Sequence, residues 1–352
     1  MERRDFVRLP ALLAPGLLLA RDEEETLTNA GSITDVGGLR VGHFTDERRP
    51  TGCTVVIFDR GAVAGVDVRG SAPGTRETDL LNPINTVQQV NAIVLSGGSA
   101  YGLDTATGVM RYLEEHVMGF RLGSIVVPIV PAAILFDLNI GDPKIRPGAQ
   151  AGYAACQAAG DAAVPEGNVG AGAGATVGKL FGLHRAMKGG LGTASAKIGD
   201  TGIIVGAIAA VNAVGDVLSC HSEKILAGAR TPDGSAFADS MKCILAGETL
   251  KSTRGANSSI GIVATNAHLT KTEATKIAQM AHDGFARTIR PVHTAMDGDT
   301  IFASGTGTVS LTADVSTIGA VGAEVMARAV NRAVLMAAGI PGYPAHRDLV
   351  KA

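Results

Sequence analysis

The spacing of apolar positions changes character several times along the chain, and each change predicts an element. Cys53-Thr-Val-Val-Ile-Phe-Asp59 and Ala62-Val-Ala-Gly-Val-Asp-Val68 are β-branched runs separated by Arg60-Gly61, which predicts two strands joined as a hairpin. Ala92-Ile-Val-Leu95 is a third strand running into Ser96-Gly97-Gly98, after which Leu103, Val109, Met110 and Leu113 fall at helical spacing between Ala100 and His116. Further along, the pattern predicts a strand over 124–130, an alanine-rich helix over 147–159, a glycine-dense loop over 167–178 and a buried strand over 202–212. Residues 221–256 cluster Gly, Pro, Asp, Ser and Lys, with Thr231-Pro-Asp-Gly-Ser235 among them, and read as a mobile connector. Ser259-Ile-Gly-Ile-Val-Ala-Thr265 is again strand-like; Thr270 then caps an amphipathic helix that carries Ile277, Met280 and Ala281 and closes near Arg287. A strand beginning at Ile301-Phe302 and an alanine-rich helix over 316–338 complete the pattern. Strands and helices mix without tandem repeat or strict βαβ order, so the expected class is a layered α/β fold.

Composition narrows the kind of core. Hydrophobic residues are 46% of the 352, yet aromatics are 4%, Trp is absent and there are 46 glycines, so the layers must be thin and built from Ala, Val, Ile and Leu. Only 18% of residues are charged, which argues for extensive buried or subunit-contact surface and hence a homo-oligomer. With 31 basic and 33 acidic residues there is no positive field for nucleic acid or anionic lipid. Cys53, Cys156, Cys220 and Cys243 form no CxxC pair, and most of them read as buried core thiols.

The amino terminus reads differently. Arg3-Arg4-Asp5-Phe6-Val7 followed by an apolar run to Ala20 has the order of a twin-arginine export signal, and Asp22-Glu23-Glu24-Glu25 follows it. Residues 1–30 are therefore expected to be signal and acidic spacer, residues 31–352 one catalytic domain, and the location periplasmic, with a cytoplasmic one as the alternative. No later stretch reaches the roughly 18 unbroken apolar residues of a membrane span, so no stable membrane contact is expected after export.

Familiar motifs fail when tested by position. In Gly170–Lys179 a phosphate loop would need glycine at Ala173 and Ser or Thr at Leu180, and the dinucleotide fingerprint meets Ala175 or Val177 where glycine is required. A nucleophile elbow at Gly97 would need glycine at Tyr101. The eight histidines never form HExxH, so neither metal nor cofactor is expected.

Asn257-Ser258 stands where the connector meets a buried strand. A hydroxyl held rigidly there can attack the carbonyl before it; the resulting ester, once hydrolysed, leaves Ser258 as a new amino terminus. A free α-amine titrates at about 7.7–8.0, so nucleophile and base then share one residue. The same dipeptide also fits an ordinary turn.

Four segments in order decide between these: Ser96-Gly-Gly-Ser-Ala-Tyr-Gly-Leu103, Gly167-Asn-Val-Gly-Ala-Gly-Ala-Gly174, Asn257-Ser-Ser-Ile-Gly-Ile-Val-Ala-Thr-Asn266 and Pro291-Val-His-Thr-Ala-Met-Asp-Gly-Asp-Thr-Ile-Phe302. Together, between about Gly31 and Gly339, they resemble the DmpA-type family of self-cleaving aminopeptidases (L-aminopeptidase/D-esterase), most of all its nylon-oligomer hydrolase branch. The resemblance implies an α-β-β-α sandwich with two central sheets, cleavage between Asn257 and Ser258, hydrolysis of amide or ester bonds in small aminoacyl or peptide substrates, and a tetramer. It also implies the site: Ser258 as nucleophile, where many relatives have Thr, and Asn212 as oxyanion stabiliser. Lys179 matches a site lysine, and Asp297 and Asp299 match a paired acidic position able to face the new amine. Phe136 stands where some relatives place a substrate-side tyrosine, so that phenol's hydrogen bond is absent. Acyl transfer to an amine would use the same acyl-enzyme, and a secreted binding protein that never cleaves is the non-enzymatic alternative.

Overall fold

The computed structural model describes residues 31–249, 251, 255, 257–310 and 314–349; the expected export signal lies outside them. Nine strands form one hydrogen-bonded network. In chain order they are β1 (Leu39–Asp46), β2 (Thr51–Val68), β3 (Thr75–Arg76), β4 (Gln89–Ser96), β5 (Ala132–Ile134), β6 (Gly190–Lys197), β7 (Ile204–Val211), β8 (Ile260–Thr265) and β9 (Thr300–Gly305). Their order is β6-β7-β8-β9-β2-β4-β5-β3, with β1 on the amino-terminal half of β2. The main helices are α1 (Thr105–Glu115), α2 (Ala149–Gln157), α3 (Lys271–Thr288) and α4 (Val315–Leu335).

The expected hairpin at Arg60-Gly61 is absent: β2 runs unbroken from Thr51 to Val68. A register shift against β4 falls between Ile57 and Ala62, and Gly61 has φ of +74°. The turn signature therefore marks a bulge, where glycine supplies the left-handed backbone at little cost and the strand bends without reversing. That bend lets one strand serve both layers. Its first half pairs with β1 and β4, and its second half pairs with β9.

Alternation along β2 defines the layers. Cys53, Val55 and Ile57 face α1 and α2, packing with Val109, Leu113 and Ala155. Val56 and Phe58 point the other way, into a cluster with Ile93 and Leu95 of β4 and with Ile208, Ile260, Ile262 and Phe302 from β7, β8 and β9. No main helix contributes to that cluster, although its members are fully buried, so the two halves of the network cover one another. On the far side Ala207, Val263 and Ile301 pack under Ile277, Phe285, Met326 and Val330 of α3 and α4. The result is the expected α-β-β-α stack, with its two sheets continuous through β2 rather than separate.

Most other elements fall close to their predicted ranges, but in place of the strand expected over 124–130 a short hairpin pairs Phe120–Leu122 with Ile125–Val127, and the strand that joins the sheet, β5, follows it. Thr270 accepts from the Glu273 amide and Glu273 bonds back to the Thr270 amide, a capping box that starts α3. The expected connector is more structured than its composition suggests: within it lie a strand at Ile225–Ala227 and a helix at Ser240–Leu245. Buried Asp216 anchors that stretch by accepting from the amides of Ala229 and Ser240 and from the Ser240 hydroxyl.

Candidate active site

Strand register assembles the site. β8 and β9 are parallel, with Ile260 opposite Thr300, so the residues just before each strand lie side by side and Asn257 bridges to Asp297. β7 is antiparallel to β8 with Ala210 opposite Ile260, which carries Asn212 at the end of β7 to the start of β8. The Ser258 amide donates to the Asn212 carbonyl at 2.9 Å. Three segments distant in sequence thus converge at one end of one layer.

The Asn257–Ser258 peptide is held firmly. The Ser258 hydroxyl donates to the Asn257 carbonyl oxygen at 2.6 Å, and the Gly298 amide donates to the same oxygen at 2.8 Å. Ser258 is 2% exposed and Asn257 fully buried. Gly298 admits no side chain: a Cβ there would lie 2.6 Å from Ser258 Oγ and 2.4 Å from the Ala72 carbonyl oxygen. Gly298 thus contributes through its amide and its lack of bulk, which residue type alone does not signal.

Asn212 occupies the centre. Its side-chain oxygen accepts from Lys179 Nζ at 2.7 Å and from the Thr176 amide at 3.1 Å, while its NH₂ donates to the Phe136 carbonyl at 3.1 Å. Phe136 therefore does meet the site, through its backbone. Lys179 Nζ also lies 3.4 Å from the Asn212 carbonyl, the oxygen that holds the Ser258 amide. Burial pushes the Lys179 ammonium down to about 7, with the nearby Lys188 lowering it too and the carboxylates of Asp297, Asp137 and Asp299 opposing.

The two acids sit on either side of Gly298 and have different partners. Asp299 accepts from the Ser259 amide at 2.7 Å and from both the backbone and Nδ1 of His293, at 3.1 and 2.8 Å. Asp297 accepts from the amide and hydroxyl of Thr294, at 2.9 and 2.6 Å. Burial first, then the charge of Asp299, pushes Asp297 up to about 6, against the opposing Thr294 donors and Lys179. A carboxyl near 6 and an amine near 7 in one buried network are suited to moving protons at neutral pH.

Residues that the sequence did not single out support this arrangement. Asp137, next to Phe136, forms a buried ion pair with Arg49 at 2.6 Å and also accepts from the Thr51 hydroxyl and the Gly98 amide. Arg49 donates further to the carbonyls of Asp137, Ile140 and Ile145. Lys188, fully buried, donates to the carbonyls of Gly172, Ala175 and Gly189 and so fixes the loop that delivers Thr176 to Asn212. Among the described residues no cluster of His, Cys, Asp or Glu could hold a metal ion.

The stacked layers match a solved structure of the N-terminal-nucleophile hydrolase fold, and at one end of them the serine hydroxyl lies against its own preceding carbonyl. The L-aminopeptidase D-Ala-esterase/amidase of Ochrobactrum anthropi, described as a variant of that hydrolase fold, superposes with a TM-score of 0.65 at 18% identity, over 91% of this chain and 93% of its own. The chain belongs to peptidase family S58, whose model matches residues 31–347. An uncharacterized aminopeptidase of Mycobacterium bovis is 45% identical over 345 residues, 90% of this chain and 97% of that protein. A 6-aminohexanoate-oligomer endohydrolase of Kocuria sp. is 29% identical over 320 residues, 85% of this chain and 84% of its own.

Proposed function

We propose that this member of family S58 cuts itself between Asn257 and Ser258 and then acts as an aminopeptidase or amidase on short peptides and small aminoacyl amides and esters. The carrying observation is the double hydrogen bond to the Asn257 carbonyl, from the hydroxyl of Ser258 and the amide of Gly298. In the first step Ser258 Oγ bonds to the Asn257 carbonyl carbon, its proton passes to the departing Ser258 nitrogen, and the C–N bond breaks to leave an ester. Gly298 N–H meets the oxyanion of that step. Water then hydrolyses the ester, freeing the Asn257 carboxylate, the Ser258 hydroxyl and a Ser258 amine still facing Asn212.

In turnover Ser258 attacks the substrate carbonyl, its own amine or Lys179 takes the proton, and Asn212 donates its amide to the oxyanion after releasing Phe136. Asp297 and Asp299 hold the new ammonium and tune it. Phe136 borders the substrate, without a phenol to bind its polar end. No cofactor enters. Because Ser258 is buried while the peptide is intact, substrate gains access after cleavage. Names of relatives support the class of bond: aminopeptidase for one, oligomer endohydrolase for another.

The low charged fraction and the small-residue core support a homo-oligomer, with four subunits as the resemblance implies, and the twin-arginine pattern supports a periplasmic location. Acyl transfer differs only in the acceptor, and product analysis with and without an added amine separates it from hydrolysis. The principal test is Ser258→Ala. It should leave one band on a denaturing gel and no hydrolysis of aminoacyl p-nitroanilides, whereas the parent yields fragments 1–257, or its signal-trimmed form, and 258–352. A variant that still splits refutes the assignment.

A further inference from the structure

We propose that His293 is a positioning residue for Asp299, and that its ring donor holds that carboxylate in register with the nucleophile. The proposal rests on the Ser258 reading but adds to it a residue that takes no part in bond making. Three observations carry it. Asp299 Oδ2 accepts two bonds from His293, backbone and Nδ1, while Oδ1 accepts from the amide of Ser259, the residue after the nucleophile. His293 adopts φ of +54°, a left-handed backbone that costs energy for most residues and that His, Asn and Asp tolerate best. Its other ring nitrogen, Nε2, is buried and has no hydrogen-bond partner among the described residues.

The tautomers follow from the acceptors. His282, whose ring centroid is 4.7 Å from that of His293, places Nε2 at 3.0 Å from the Asp67 carbonyl, so Nε2 carries its proton and the partnerless Nδ1 is a bare lone pair. His293 directs Nδ1–H to Asp299, leaving Nε2 as the lone pair. Among the described residues neither bare nitrogen meets a donor, and the only polar bond the His293 ring makes is the one to Asp299, from a strained backbone. Such a ring is better explained by what it does for Asp299 than by packing.

The test uses substitutions that suit a left-handed backbone. His293→Gly keeps the conformation and removes the donor; His293→Asn keeps the conformation and puts an amide NH₂ where Nδ1–H was. In the full chain, H293G should slow appearance of the 258–352 fragment and, once processed, lower kcat for an aminoacyl p-nitroanilide by about 10- to 100-fold, the scale of a misplaced site group, with KM little changed. H293N should recover most of both. In a Asp299→Asn background H293G should cost little more, since both changes remove one interaction. The proposal is overturned if H293G matches the parent, if H293N is as slow as H293G, or if the losses of H293G and D299N multiply in full. Should H293G lack a cooperative melt, His293→Ala serves in its place, with neither a donor nor a second carboxyl beside Asp299. An uncut S258A beside a parent-like H293G would defeat this inference alone, while a self-splitting S258A would defeat the function beneath it.

Discussion

At the scale of single residues, Lys179 is strongly changed by its surroundings. Its ammonium is buried against Asn212 and pushed down to about 7 from an ordinary 10.5, so near neutrality a large fraction is a free amine able to take the Ser258 proton. If self-cleavage uses that free amine, its rate should climb as pH rises through about 7 and level off above. Lys179→Arg keeps the positive charge but cannot release it, so this variant should process at least about 10²-fold more slowly and lose the rise, as followed by gel densitometry between pH 5.5 and 8.5. A K179R chain that splits at the parent's rate would exclude Lys179 as the base. The sequence offered Lys179, Asn212, Asp297, Asp299 and Ser258 through motif resemblance, and register brings all five to one place. It offered no sign of Gly298, whose contribution is a backbone amide and an empty volume, properties no side-chain pattern encodes. Arg49 and Asp137 were equally silent, because their partnership spans 88 positions of chain.

Elements were legible where periodicity was local and hidden where pairing was not. The helices and most strands lie near their predicted ranges because apolar spacing and caps act within a few residues. Arg60-Gly61 misled because a bulge and a hairpin use the same left-handed glycine, and only the partner strands decide between them. The segment around Asp137 illustrates how tertiary pairing then positions chemistry: the Arg49 guanidinium ties the turn between β1 and β2 to the chain after β5, and the adjacent Phe136 carbonyl receives Asn212. Asp137→Ala would leave the guanidinium buried without its counter-charge, which costs about 3–5 kcal/mol in such sites. Urea unfolding in a Ser258→Ala background should show that loss, and in the self-processing chain the same change should slow turnover by freeing Phe136. A D137A chain as stable as its parent would mean that the ion pair is solvated or readily replaced.

Across the whole molecule, the nearly balanced net charge conceals an uneven distribution: several ionisable groups are buried in a core otherwise made of small apolar side chains, and their combined titration sets how stability varies with pH. Lys179 and Lys188 are each pushed down by burial from 10.5 to about 7. Between those limits the unfolded chain holds more protons than the folded one, so stability from both lysines is absent below about 7 and grows as pH rises. His282, lowered by burial from 6.5 to about 4, has the same sign lower down and loses stability on acidification through that window. Asp297, raised from 3.8 to about 6, opposes it over that narrower span. Above 9.0 this gain is offset, since burial holds the Cys156 and Cys220 thiols up to about 12 and about 11 while their unfolded counterparts ionise, and the sign reverses once pH passes 10.5, where the lysines stop contributing. The melting midpoint of the uncut S258A chain, at constant ionic strength, should therefore rise from near pH 7 to about 9, level off, and fall above about 10.5. Lys188→Met in that background should flatten the rise, because the methionine has no proton to exchange, even as it leaves the carbonyls of Gly172, Ala175 and Gly189 without their donor. An unchanged slope in the double variant would mean that Lys188 keeps its proton in the folded core up to its ordinary range, with the three carbonyls alone compensating the buried charge.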